Sequence, residues 1–149
     1  MNILVIQNQK KLKISDKSTQ KVVKEFLTVA NVHYDEVTIH FVETEIICDL
    51  HSDYFNDPSP TDCISFPMDD TEVQGYRVMG DIFVCPETAI KYVNEHGGDV
   101  YQEVTLYVIH GLLHLIGFDD IEDIENETMR AAESLHLEHL RKKNIWVGA

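Results

Sequence analysis

An α+β fold is predicted by three features of this 149-residue chain. Short runs of β-branched residues are interspersed with stretches of helical periodicity, strong turn signals fall between them, and one long apolar run suits a central helix. The expected architecture is a single domain over residues 1–149, with a small four-stranded mixed sheet packed with about five helices. The central buried helix, from Val100 to Ile116, carries two histidines, His110 and His114.

Taken in order, Ile3 to Ile6 reads as a short strand. Ser15 or Asp16 can cap a helix reaching about Asn31, with Val22, Val23, Phe26, Leu27 and Ala30 on one face. Val37, Ile39 and Phe41 alternate with Thr38, His40 and Val42, which is a strand pattern. Glu45 to about Asp53 carries Ile46, Ile47 and Leu50 as a short helix, and Asn56-Asp57-Pro58-Ser59-Pro60 is a loop. Cys63 to Phe66 and Val78 to Val84 are strands, separated by an acidic turn at Asp69 and Asp70. Pro86 suits the first turn of a helix running to His96, stopped by Gly97-Gly98. Hydrophobic residues on most sides of Val100 to Ile116 place that helix at the centre. The last helix spans about Glu125 to Lys143, with Met129, Ala132, Leu135 and Leu140 facing inward and His136 and His139 on the surface.

Composition narrows the function classes. Hydrophobic content of 44% and charged content of 26% are ordinary for a soluble domain. No apolar run approaches the roughly 20 residues that cross a bilayer, so no membrane partner is expected. Met1 to Ile6 is apolar but short, with its lysines following, unlike a signal peptide. Three widely spaced cysteines, Cys48, Cys63 and Cys85, read as free thiols of a reducing compartment, and a cytoplasmic location is expected. The formal net charge is −14. Lysines cluster at positions 10 to 24 and basic residues at 141 to 143, leaving only Arg77, Lys91 and Arg130 between. Contact with a polyanion by general charge attraction would therefore use the two basic ends or a second protein.

The chemistry concentrates in His110-Gly-Leu-Leu-His114-Leu-Ile-Gly117-Phe-Asp119-Asp120. Residues four apart on a helix are separated by a rise of roughly 6 Å along one face, so both rings can converge on one ion. Gly117 can adopt the backbone conformation that ends a helix, swinging Asp119 or Asp120 back toward the rings. Two histidines and one carboxylate around an open position suit a metal that activates water. The pattern HxxxHxxGxxD resembles the zinc signature of metalloproteases, but Gly111 stands where their glutamate base is needed, which argues against that class. Non-haem iron oxygenases use the same donor types, drawn from strands rather than from one helix.

The stretch from His110 to Asp120 looks like the metal motif of the YbeY family, HGxLHLxGYDH, with Phe118 standing for Tyr. Pro60-Thr-Asp-Cys63-Ile-Ser-Phe-Pro67 resembles that family's PTxVLSFP, in which x is Asp or Asn, Gly80-Asp81-Ile82-Phe83-Val84-Cys85 resembles its GDIxI strand, and Met129 and Glu133 fit its final helix. The resemblance implies a zinc-dependent endoribonuclease specific for single-stranded RNA, holding one Zn2+. It also implies a cytoplasmic role in maturation of the 3′ end of 16S ribosomal RNA and in ribosome quality control. Implied partners are the small ribosomal subunit and ribosome-associated proteins.

Two of the family's three histidine ligands carry over as His110 and His114, and Asp120 takes the third place. Asp119 matches a supporting residue beside that ligand. A carboxylate is a competent zinc ligand, but it lowers the net charge of the centre and weakens the ion as a Lewis acid. Phe55 stands where the resemblance leads one to expect an arginine, and Arg77 is the nearest replacement in the sequence for binding substrate. These two departures keep a second reading in play: a metal-stabilised ribosome-assembly or interaction factor with weak or no nuclease activity. A fourth protein ligand, from His51 or a cysteine, would favour that reading.

Overall fold

The computed structural model describes residues 1–68 and 75–149. Its elements are β1 (Asn2–Asn8), α1 (Asp16–Ala30), β2 (Glu36–Val42), α2 (Thr44–Phe55), β3 (Cys63–Pro67), β4 (Val78–Val84), α3 (Pro86–His96), α4 (Val100–Leu115) and α5 (Asp123–Lys143). The expected α+β architecture is what forms, with four strands and five helices among the described residues. The acidic turn expected at Asp69 and Asp70 lies outside the described residues.

The sheet order is β1-β2-β4-β3. β1, β2 and β4 run parallel, and the short edge strand β3 pairs antiparallel with β4, so the sheet is mixed. The alternation expected in β2 is not what burial follows: Val37, Thr38, Ile39, Phe41 and Val42 are all buried. β2 is an inner strand of parallel pairs, and such strands are covered on both faces. Val37, Ile39 and Phe41 join the main core with residues of α1, α4 and α5, while Val42 packs with Ile47 of α2, Ile64 and Cys85. On β2 and β4, His40 Nε2 meets Asp81 Oδ1 at 2.9 Å, and the His40 ring stacks on Phe83 at 4.1 Å. Asp81 is thus tied by its side chain to the neighbouring strand.

α4 is the pillar on which the rest is arranged. Asp99 caps it, its side chain accepting from Tyr101 N and Gln102 N at 2.8 and 3.1 Å. Nine of its sixteen residues are buried, so it is held by packing rather than by propensity. Gly111 explains how closely it lies on the sheet: a Cβ there would come within 2.7 Å of Ile82 Cγ2 and 2.8 Å of Cys63 Sγ. At the same residue Ser65 of β3 donates its hydroxyl to the Gly111 carbonyl at 3.0 Å.

α5 lies against α1 and α4, and its inward stripe differs from the expected one. Met129, Glu133, His136 and Leu140 are buried, while Leu135 is 59% exposed and Ala132 half-buried. His136 is not a surface residue: its ring stacks on Phe26 of α1 at 4.5 Å. His139 is partly covered and pairs with Glu25 at 2.8 Å. Burial, with His139 nearby, depresses the pKa of His136 below the usual histidine value.

Two outcomes check this packing. Gly111→Ala lowers unfolding free energy by about 1–3 kcal/mol despite alanine's better helix propensity, because overpacking against Ile82 and Cys63 outweighs it; an unchanged urea midpoint contradicts the close approach. A folded-state histidine pKa that is depressed contributes stability above the unfolded value near 6.5, lost as pH falls below it. His136→Gln therefore flattens the fall in stability between neutral pH and about pH 5, measured by denaturation at each pH, and an unaltered slope counts against a buried neutral ring.

Candidate metal centre

The last turn of α4 and the loop after it form the site. α4 ends at Leu115, Gly117 takes a φ of 107°, and the Phe118 N–H returns to the Leu113 carbonyl at 3.0 Å. Only glycine adopts that positive φ without strain, which is why the chain reverses here. The reversal carries Asp120 back to the histidines, with Oδ2 at 3.5 Å from His110 Nε2 and Oδ1 at 3.7 Å from His114 Nε2. Asp119 does not join them; its Oδ1 accepts the backbone N–H of Asp120 at 2.9 Å and so fixes the loop. Glu122 and Glu125 then form a capping box that starts α5.

The two imidazoles face each other through their Nε2 atoms at 3.0 Å. Their other nitrogens are committed elsewhere. His114 Nδ1 donates to the Phe118 carbonyl at 2.9 Å, and His110 Nδ1 donates to Glu133 Oε2 at 2.6 Å. A neutral imidazole carries one N–H, so both Nε2 atoms then present lone pairs to each other. That contact is repulsive unless a proton or a cation lies between them. Burial works against protonating His110, but the hydrogen bond and charge of Glu133, with Asp62 and Asp120, outweigh it and raise its pKa. Burial likewise opposes ionisation of Glu133, yet His110 and Arg130 hold its carboxyl below the usual range.

This donor set fits a metal ion. Bonds of about 2.0–2.2 Å in a tetrahedral arrangement put ligand atoms roughly 3.3–3.6 Å apart. The two nitrogens lie 3.0 Å apart, and each has one of the two Asp120 oxygens at 3.5 or 3.7 Å, close to that spacing. Among the described residues His110, His114 and Asp120 are the group of three able to share an ion. Glu133, ionised and behind His110, is the kind of carboxylate that orients a ligating histidine and increases its basicity.

The group lies on the wall of an open cleft of about 1060 Å³. His51, Phe55, Asp62, Cys63, Tyr92, Glu103 and Arg130 also line it. His51 lines the cleft but is not one of the group able to share an ion, and its Nδ1 donates to the Ser59 carbonyl at 2.8 Å. Cys63 is raised in pKa by burial and by Asp62, which keeps it a protonated thiol. Arg77 is not brought to the cleft. Its guanidinium sits 4.6 Å from the Tyr34 ring centroid and donates to the His33 carbonyl at 3.1 Å, near the start of β4. Sequence reasoning passed over Glu133 and Arg130 as site residues. A charged residue within the apolar stripe of α5, four after Met129, was the signal that could have found Glu133.

Residues 4–141 match the family model described as Endoribonuclease YbeY. The chain is 50% identical over 139 residues to Endoribonuclease YbeY of Protochlamydia amoebophila, covering 93% of each protein. It is 34% identical over 140 residues to Endoribonuclease YbeY of Chlamydia trachomatis serovar D, covering 93% of this chain and 87% of that one. The solution structure of TM1509 from Thermotoga maritima shares the fold, with a TM-score of 0.65 at 23% identity over 95% of this chain and 90% of that one.

Removing the carboxylate behind His110 tests the site without touching a ligand. Glu133→Gln lowers metal affinity by about 10–100-fold in competition titrations with a chelating dye. Asp120→Ala loses at least as much, and full metal retention by that variant excludes Asp120 as a ligand.

Proposed function

The chain belongs to the YbeY endoribonuclease family, and from that membership we propose that residues 1–149 act as one zinc-dependent domain that cleaves single-stranded RNA. His110, His114 and Asp120 hold one Zn2+ through two imidazole nitrogens and a carboxylate oxygen, a donor set that suits zinc. The observation that carries the reading is the 3.0 Å approach of two lone-pair nitrogens, with a carboxylate beside them, on the wall of an open cleft.

The ion, when bound, supplies Lewis-acid charge to a phosphodiester and an open coordination position for an attacking oxygen. The chain does the rest. Glu133 fixes the His110 ring and its tautomer, the Phe118 carbonyl does the same for His114, and Asp119 steadies the loop that bears Asp120. Phe55, 57% exposed, and the rings of His51 and Tyr92 line the cleft and can stack unpaired bases, which supports selectivity for single strands. The substrate fitting the family is the 3′ end of 16S ribosomal RNA, in maturation and ribosome quality control. The partners are then the small subunit and its associated proteins, met in the cytoplasm; no described helix is long and apolar enough to cross a membrane.

A second reading, an assembly factor with weak or no cleavage, is favoured by the carboxylates of the cleft and by Phe55. Rigorously purified protein separates the two. Cleavage of single-stranded RNA falls by at least about 10³-fold in His114→Ala, together with loss of zinc. Activity that persists in that variant, or is missing from the zinc-loaded wild type, refutes the enzyme. A 2′,3′-cyclic phosphate on the products identifies the ribose hydroxyl as nucleophile.

A further inference from the structure

Resting on the endonuclease reading of this same cleft, we propose that Arg130 anchors a phosphate of the bound RNA strand. The cleft is an unfavourable place for a polyanion. Among the described residues that line it, Asp62, Glu103, Asp119, Asp120 and Glu133 contribute carboxylates, and Arg130 is the one lysine or arginine. An ion held by His110, His114 and Asp120 offsets part of that charge at one point. A strand lying along the cleft has phosphates beyond that point, where only the guanidinium attracts them.

The position of Arg130 is set rather than accidental. It lies on α5 one turn before Glu133, and its Nη1 donates to Glu133 Oε1 at 2.5 Å while the side chain remains 56% exposed. The other oxygen of the same carboxylate accepts from His110. Glu133 therefore ties the guanidinium to the metal-binding ring through one buried group. A guanidinium has five N–H donors in one plane, and the Glu133 contact leaves a second edge for two phosphate oxygens. Arg77 cannot serve here, being held beside Tyr34 and His33 outside the cleft. Phe55, His51 and Tyr92 bring rings to the lining rather than permanent charge.

The competing role is structural: Arg130 could do no more than neutralise Glu133. Zinc-loaded protein and a nuclease-resistant 2′-O-methyl oligouridylate, followed by fluorescence anisotropy over a range of salt, separate the two. For an anchor, Arg130→Met weakens binding by about 10-fold or more. It also flattens the slope of log affinity against log salt by about 0.7, the loss of one phosphate contact on a single strand. Arg130→Lys restores the slope but only part of the affinity, since an ammonium lacks the bidentate fork. Zinc content is unchanged in both variants, and in cleavage assays KM rises while kcat moves little. An Arg130→Met protein that binds with wild-type affinity and slope overturns the assignment, as does one that loses zinc with its salt slope intact. A zinc-loaded wild type that neither binds nor cleaves single-stranded RNA removes the nuclease reading itself, and this assignment with it.

Discussion

Two imidazole nitrogens held 3.0 Å apart, each with its ring proton committed to the far side, are the constraint from which the rest of the structure can be understood. Folding brings these lone pairs together and leaves them needing positive charge. A proton on His110 meets that need in part, and Glu133, with Asp62 and Asp120, raises the pKa of that ring despite burial. A metal ion would meet it fully, because both nitrogens and the carboxylate of Asp120 are placed so that they could share one. Glu133 is 5% exposed at its side chain, and a carboxylate so placed is costly unless paired on both oxygens. His110 takes one of them and Arg130 the other.

The fold serves this constraint through α4. Glu103, the adjacent Leu106 and Tyr107, His110 and His114 recur once per helical turn and form the strip of the helix that borders the cleft. The opposite side is pressed to the sheet, and Gly111 allows that approach by contributing no side chain. Ser65 fastens the same residue to the edge strand, so the turn bearing the histidines is fixed to β3 at its back and to α5 at its flank.

Much of this was legible in the sequence, for reasons that differ by element. α3 and β4 have the bounds expected because Pro86, the glycines at 97 and 98, and a run of β-branched and aromatic residues punctuate them without competition. Asp120 could be placed beside the histidines because Gly117 is the one residue there that turns the chain sharply. What could not be read depends on partners distant in sequence. Period-two alternation marks β2 as a strand, but does not reveal that its place between two parallel neighbours buries both faces. Leu135 looked like core and His136 like surface by polarity alone. The stripe of α5 is instead rotated toward Phe26 and His110, which accept polar residues at 136 and 133. Closeness in sequence favours Arg77 over Arg130 as a substrate-binding cation, and only the tertiary arrangement sets Arg77 beside Tyr34 and Arg130 in the cleft.

The bridge made by Glu133 has a thermodynamic corollary. One carboxylate serves both a guanidinium that lines the cleft and an imidazole of the candidate metal centre, so its electron density is shared between two tenants. Any anion that draws Arg130 outward returns negative charge to the His110 side and strengthens that ring as a donor. Equilibrium reciprocity then obliges the cation to favour the anion by the same factor. Were both bound, cargo and ion would be coupled by this single side chain.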